Sequence, residues 1–156
     1  MTARLLLGLL VLFPGGAWAG GPQAYITNFS DNTVSVIDTA SNTVTATVPV
    51  GAGPRGVAVN PAGTFVYVAN SFSNTISVID TVTNTVVATV PVGVFPFGVA
   101  VNPAGTFAYV ANRFSNNVSV IDTASNTVVA TVPVGRLPLP SASSLAAAPR
   151  ANAKLT

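Results

Sequence analysis

The chain repeats itself every 42 residues, and that period limits what it can fold into. The stretch Phe65-Val-Tyr-Val-Ala-Asn-Ser-Phe-Ser-Asn-Thr-Ile-Ser-Val-Ile-Asp-Thr81 returns as Phe107-Ala-Tyr-Val-Ala-Asn-Arg-Phe-Ser-Asn-Asn-Val-Ser-Val-Ile-Asp-Thr123. A related version runs from Tyr25-Ile-Thr-Asn28 to Ile37-Asp-Thr39. A period in this range belongs to solenoids or propellers. Within each period the apolar runs are short and rich in Val, Thr, Ile and Tyr. They are bounded by Asn, Gly, Pro and Asp, which reads as strands and turns. Four short strands in about 40 to 45 residues make one blade of a β-propeller.

The runs predict about eleven strands in three blades, over residues 24–50, 55–92 and 97–134, the first blade beginning late. Asn60-Pro-Ala-Gly63 and Asn102-Pro-Ala-Gly105 carry Asn, Pro and Gly where a type I turn wants them. Asp38, Asp80 and Asp122 each end a strand, where a short carboxylate can accept hydrogen bonds from the following turn amides. Pro49, Pro91 and Pro133 fall in the last strand of each period. Proline cannot donate to a ladder, so that strand is expected at the outer edge of its blade. Tyr25, Tyr67 and Tyr109 are expected between blades with a partner for each hydroxyl. Asn28, Asn70 and Asn112 are expected to start turns by satisfying backbone groups.

Composition removes several function classes. Charged residues make up only 6% of the chain and hydrophobic ones 49%. Stacked blades cover both faces of a sheet, so such strands need not alternate with polar residues. Between Gly20 and Gly135, Arg55 and Arg113 stand against Asp31, Asp38, Asp80 and Asp122, a net charge of −2. No basic patch is evident, and nucleic acid is not an expected partner. The chain has no His, Cys or Glu, and Lys154 is its one lysine. A Ser-His-Asp system cannot be built, and no cofactor or metal motif stands out. One Asp per blade also lacks the oxygen cluster that calcium takes. The chain therefore reads as non-catalytic.

The beginning and end of the chain differ from the array. Arg4, the nine-residue apolar core Leu5–Phe13, the Pro14-Gly-Gly16 break and Ala17-Trp-Ala19 read as a signal peptide cleaved after Ala19. Its core is too short to span a bilayer, so no membrane span is expected in the mature chain. The expected location is secreted, periplasmic or at the cell surface. At the other end, the repeat holds through Arg136-Leu-Pro-Leu139 and then fails. Residues 140–156 are low-complexity and read as a disordered tail. A Phe-Gly-Val-Val stretch read one base late yields Ser-Ala-Ser-Ser, the sequence of residues 141–144. A propeller truncated near Leu139 is therefore expected.

The tetrapeptides Tyr25-Ile-Thr-Asn28, Tyr67-Val-Ala-Asn70 and Tyr109-Val-Ala-Asn112 resemble the signature of the YVTN family of β-propeller repeats. Val78-Ile-Asp-Thr81, Thr89-Val-Pro-Val-Gly93 and Gly56-Val-Ala-Val-Asn-Pro-Ala-Gly63 are similar to its supporting words, and the likeness covers roughly residues 24–135. The resemblance implies an exported propeller of the surface-layer type and no single chemistry. At the level of the blade it extends to propeller lactonases, which use carboxylate or His residues in the channel. This chain offers few, so a fragment of such an enzyme is the alternative reading.

Near-identical repeats are most informative where they differ. Phe29-Ser-Asp31 becomes Ser71-Phe-Ser73 and then Arg113-Phe-Ser115. Ala52-Gly-Pro-Arg55 becomes Val94-Phe-Pro-Phe97 and then Arg136-Leu-Pro-Leu139. In a propeller these two connections open on one face, around the channel mouth, where binding residues usually lie. Phe29, Arg55, Ser71, Phe72, Phe97, Arg113 and Phe114 are the candidate binding residues, for a protein or a cell-surface polymer. Three blades cannot close a ring of the usual four to eight, so an open arc is expected. Its exposed blade ends are expected to self-associate.

Overall fold

The computed structural model describes residues 21–139. The leader read over residues 1–19 and the tail over 140–156 lie outside the described residues. Eleven strands form three antiparallel sheets, as the repeats predict. The first sheet holds β1 (Gln23–Asn28), β2 (Thr33–Asp38) and β3 (Thr43–Pro49). The second holds β4 (Pro54–Val59), β5 (Phe65–Asn70), β6 (Thr75–Asp80) and β7 (Thr85–Pro91). The third holds β8 (Pro96–Val101), β9 (Phe107–Asn112), β10 (Asn117–Asp122) and β11 (Thr127–Pro133). Strands follow chain order across each sheet, so every proline-ended strand is an outer edge. The register repeats as well: Tyr25 lies opposite Val36, Tyr67 opposite Val78 and Tyr109 opposite Val120.

The core lies between sheets, in two layers built from equivalent positions. Tyr25, Val34, Val36 and Val48 of the first sheet pack on Val66, Val68 and Ile79 of the second. Tyr67, Ile76, Val78 and Val90, their equivalents 42 residues on, pack on Ala108, Val110 and Ile121 of the third. Each blade thus has a forward face carrying Tyr and a backward face carrying the residues between. The consequence shows in one repeated word. From the second residue on, β5 is buried throughout, because its sheet is covered on both sides. β9, nearly identical in sequence, is buried only at alternate residues, because its forward face is uncovered.

The sheets converge at β4 and β8. A Cβ on Gly56 would lie 2.5 Å from the Gly98 Cα, so these equivalent glycines let the inner strands meet. The Asn60 turn closes as expected, with the Gly63 amide donating to the Asn60 carbonyl at 2.8 Å and Gly63 at φ 69°. The aspartates cap the outer hairpins. Asp80 Oδ1 accepts from the Val82 and Thr83 amides and from the Thr83 hydroxyl, and Asp38 and Asp122 repeat the pattern.

Two expectations are corrected. Asn28, Asn70 and Asn112 do not serve turn backbones. Asn70 and Asn112 are wholly buried. Asn70 Nδ2 donates to Thr75 Oγ1 at 3.1 Å and Ser77 Oγ at 2.9 Å, tying β5 to β6. A Cβ on Gly51 or Gly93 would come within 2.7 Å of the Asn70 or Asn112 amide carbon, so the chain wraps closely over these side chains. The second correction concerns the tyrosine hydroxyls. Tyr25 donates to Gln23 at 2.8 Å, whereas the buried Tyr67 hydroxyl has no partner among the described residues. The reason is local. Residue 23 is Gln, but its equivalents in the later repeats are Phe65 and Phe107.

Burial pushes the Tyr67 phenol above its ordinary value. An unpartnered buried hydroxyl costs free energy, so Tyr67→Phe is expected to leave stability unchanged or raise it by up to about 1 kcal/mol. Urea denaturation checks this, and a loss of more than about 1 kcal/mol would reveal a hidden partner.

Amide hydrogen bonds, chiefly from Ser41, Thr83 and Ser125, hold Asp38, Asp80 and Asp122 below the ordinary value of 3.8. A carboxyl depressed in the folded state contributes stability above its unfolded value and loses it as pH falls through the folded one. The melting temperature is expected to be flat from about pH 7 to about pH 5 and to fall below about pH 4. A rise on acidification would contradict these caps.

Candidate functional site

One rim of the arc collects the loops that differ between repeats. The loop after β1, β5 and β9 and the loop entering β4 and β8 share a frame. Asn32, Asn74 and Asn116 adopt φ of 55°, 56° and 51°. Their Oδ1 atoms accept from the Gly53, Phe95 and Leu137 amides, each at 2.9 Å. The frame repeats, so the side chains it carries can change without moving the backbone.

Those side chains form a continuous aromatic row. Phe29 meets Phe72 edge-on at 5.4 Å between centroids, Phe72 meets Phe95 at 5.9 Å, and Phe95 stacks on Phe114 at 4.5 Å. Phe72 and Phe114 are 62% and 56% exposed, unusual for rings that already have aromatic neighbours. Arg55 lies over Phe29 at 4.5 Å, Phe97 at 5.1 Å and Phe95 at 5.3 Å. Arg113 lies over Phe97 at 5.8 Å and Phe114 at 5.9 Å. The Nε atoms of both arginines are buried without a hydrogen-bond partner among the described residues. Cation–π contact holds a guanidinium in place without neutralising it. Its planar N–H donors suit a carboxylate or similar anion.

Charge is segregated across the molecule. Arg55, Arg113, Arg136 and Asp31 lie on this rim. Asp38, Asp80 and Asp122 lie at the other ends of their strands, with Asp80 paired to Phe65 and Thr75 to Asn70. Among the described residues the aromatic rim is therefore net +2 and the opposite rim −3. The near-neutral total conceals this polarity. A depression of about 330 Å³ lined by Phe114, Asn116, Arg136 and Leu137 extends the rim past the third sheet.

Six of the seven residues picked from sequence, Phe29, Arg55, Phe72, Phe97, Arg113 and Phe114, come together here. Ser71 does not join them at the surface. It is buried, and its hydroxyl donates to the Pro96 carbonyl at 2.8 Å, fastening β8 to the end of β5. Phe95 was missed. It joins the two halves of the aromatic row, and the signal for it was present: repeat one has Gly53 at that position and repeat three Leu137. Among the described residues no three His, Cys, Asp or Glu side chains lie close enough to hold a metal ion.

The sheets and their stacking define a β-propeller, of which the described residues form an open arc of three blades. The chain belongs to the family described as lactonase, 7-bladed beta-propeller, whose sequence profile matches residues 22–143. Hydrazine synthase from Kuenenia stuttgartiensis is similar at 33% identity and TM-score 0.72, over 74% of this chain and 34% of that one. The dihydro-heme d1 dehydrogenase NirN shares the fold at 22% identity and TM-score 0.67, over 81% of this chain and 28% of that one. A PE-PGRS family protein of Mycobacterium tuberculosis is 56% identical over 41 residues, 26% of this chain and 9% of the relative. The chain thus spans about a third or less of the length of these proteins.

Phe95 occupies left-handed backbone at φ 58°, a region that a bulky residue enters only at a cost. Gly53 shows that glycine fits the equivalent position. Phe95→Gly is expected to change stability by less than about 1 kcal/mol, since relief of strain offsets lost packing. It should also interrupt the aromatic row. Urea denaturation tests this, and a loss above about 2 kcal/mol would make Phe95 a packing residue instead.

Proposed function

We propose that this chain is an exported, non-catalytic propeller module of the surface-layer type, which binds a protein or cell-surface polymer through its arginine–phenylalanine rim. The observation that carries this reading is the pair of arginines held over the phenylalanine rings of the rim, of which Phe29 and Phe114 are exposed. Arg and aromatic side chains are the types that dominate binding energy at interfaces. The chemistry favours a partner that offers carboxylates beside apolar surface. Sedimentation with polygalacturonate, polyglutamate, neutral dextran and an oligonucleotide tests it. Binding to either polycarboxylate but not to dextran is expected, weakening at high salt. The double variant Arg55→Ala/Arg113→Ala should lose about tenfold or more in affinity. Binding that is unchanged in this variant, or seen with the oligonucleotide alone, overturns the assignment.

Membership in the lactonase family favours a second reading, a catalytic blade set. That reading requires carboxylates at a channel, whereas the repeated Asp38, Asp80 and Asp122 cap the outer hairpins, away from the inner strands. Turnover of a lactone panel, with and without calcium, that is lost in Asp80→Asn would establish it. No turnover is expected.

A further inference from the structure

Rings and cations alternate along the rim. Phe29, Arg55, Phe97, Arg113 and Phe114 follow one another at 4.5, 5.1, 5.8 and 5.9 Å, each guanidinium carbon measured to a ring centroid. The repeat does not demand this order. Arg55 has Phe97 and Leu139 as its equivalents, and Arg113 has Phe29 and Ser71. The two arginines thus arise at different positions of the repeat and still meet on the Phe97 ring. Two cations around one ring repel each other, and among the described residues Asp31 is the one carboxylate on this rim. Beside them Phe72 and Phe114 are more than half exposed. The rings do not form one flat platform. Phe72 stands at 66° to Phe29 and at 61° to Phe95, while Phe95 and Phe114 stack on each other at 4.5 Å.

We propose that the rim binds an acidic polypeptide segment in which Asp or Glu residues are interspersed with aromatic or aliphatic ones. The inference rests on the rim being the binding face, and it narrows the partner to polypeptide. Charge selects the carboxylates, because each arginine offers planar N–H donors that fit one bidentately. The interleaved rings select the apolar side chains, which leave water against Phe72 and Phe114. A uronate polymer supplies only the carboxylates. Its sugar rings would need open, flat aromatic faces to pack on, and the crossed rings here give no continuous one. An extended chain advances about 3.3 Å per residue, so roughly seven residues cover the row from Phe29 to Phe114.

Fluorescence anisotropy with the full chain tests this. The labelled probes are the peptide Glu-Phe-Glu-Leu-Glu-Phe-Glu, its version with Gln for every Glu, an oligoglutamate and an oligogalacturonate of the same length. The mixed peptide is expected to bind about tenfold or more tightly than either oligomer, and the Gln version is expected not to bind. Phe72→Ala and Phe114→Ala shorten rings that are already more than half exposed, so both variants should fold. Each should weaken the mixed peptide about fivefold or more and leave oligoglutamate unchanged, whereas Arg113→Ala should weaken both. Equal binding of the mixed peptide and oligoglutamate, or no effect of either phenylalanine change, overturns the proposal and leaves the rim as the binding face. Tighter binding of oligogalacturonate, lost in Arg113→Ala, overturns it in favour of a uronate polymer on the same rim. Undiminished binding of the Gln peptide, or no binding of any probe, overturns both the proposal and the reading it rests on.

Discussion

Everything in this molecule depends on one contact, the packing of a Tyr-bearing sheet face on the back of the next sheet. A lone four-stranded sheet of this composition would leave Val, Ile and Tyr in water on both sides. Stacking removes those side chains from water, at roughly 25 cal/mol for each Å² of apolar surface. The contact also explains why the repeats hardly vary at these positions. Each face must fit a neighbour built from the same words, so Val78, Val36 and Val120 answer to one shape. Near-nearest-neighbour energetics of this kind are what repeat architectures share.

The rim escapes that constraint. Its backbone is fixed by the repeated Asn32, Asn74 and Asn116 side chains, which accept from the amide of the following loop. What projects from the frame is free to change, and it changes towards Phe and Arg. The left-handed residue of the frame is glycine in the first repeat but Phe95 and Leu137 in the later ones. A backbone cost is thus accepted where a ring lines the rim. Three arginines and one aspartate on the same rim, and three aspartates on the opposite one, give a molecule of small net charge a strong polarity.

Much of this was legible in the sequence because the repeat supplies three readings of each position. Strands, outer-edge prolines, aspartate caps and the Asn60 turn follow from local chemistry, which the fold does not override. What escaped depends on which side chains meet in the folded chain. Asn70 reads as a turn starter, yet the passage of Gly51 over its side chain leaves no room for that role. The missing partner of Tyr67 follows from Gln23 becoming Phe65, a change on the same strand but two residues away. Ser71 differs from Phe29 and Arg113, which marks it as variable, although its hydroxyl is spent on the Pro96 carbonyl. Variation located the rim without separating the residues that face outward from those that fasten it.

The repeats also provide an internal control for the central claim. Ile26, Val68 and Val110 sit at one register in three sheets, and β1, β5 and β9 differ in how many of their faces are covered. Native-state amide hydrogen exchange compares them directly. If face-to-face stacking holds the structure, β5 and β6 of the doubly covered sheet should exchange slowest. Equivalent amides in β1, β2, β9 and β10 should exchange faster, despite near-identical sequence. Equal protection at equivalent positions in all three sheets would contradict the account, because it would place the stability within each sheet and not between them.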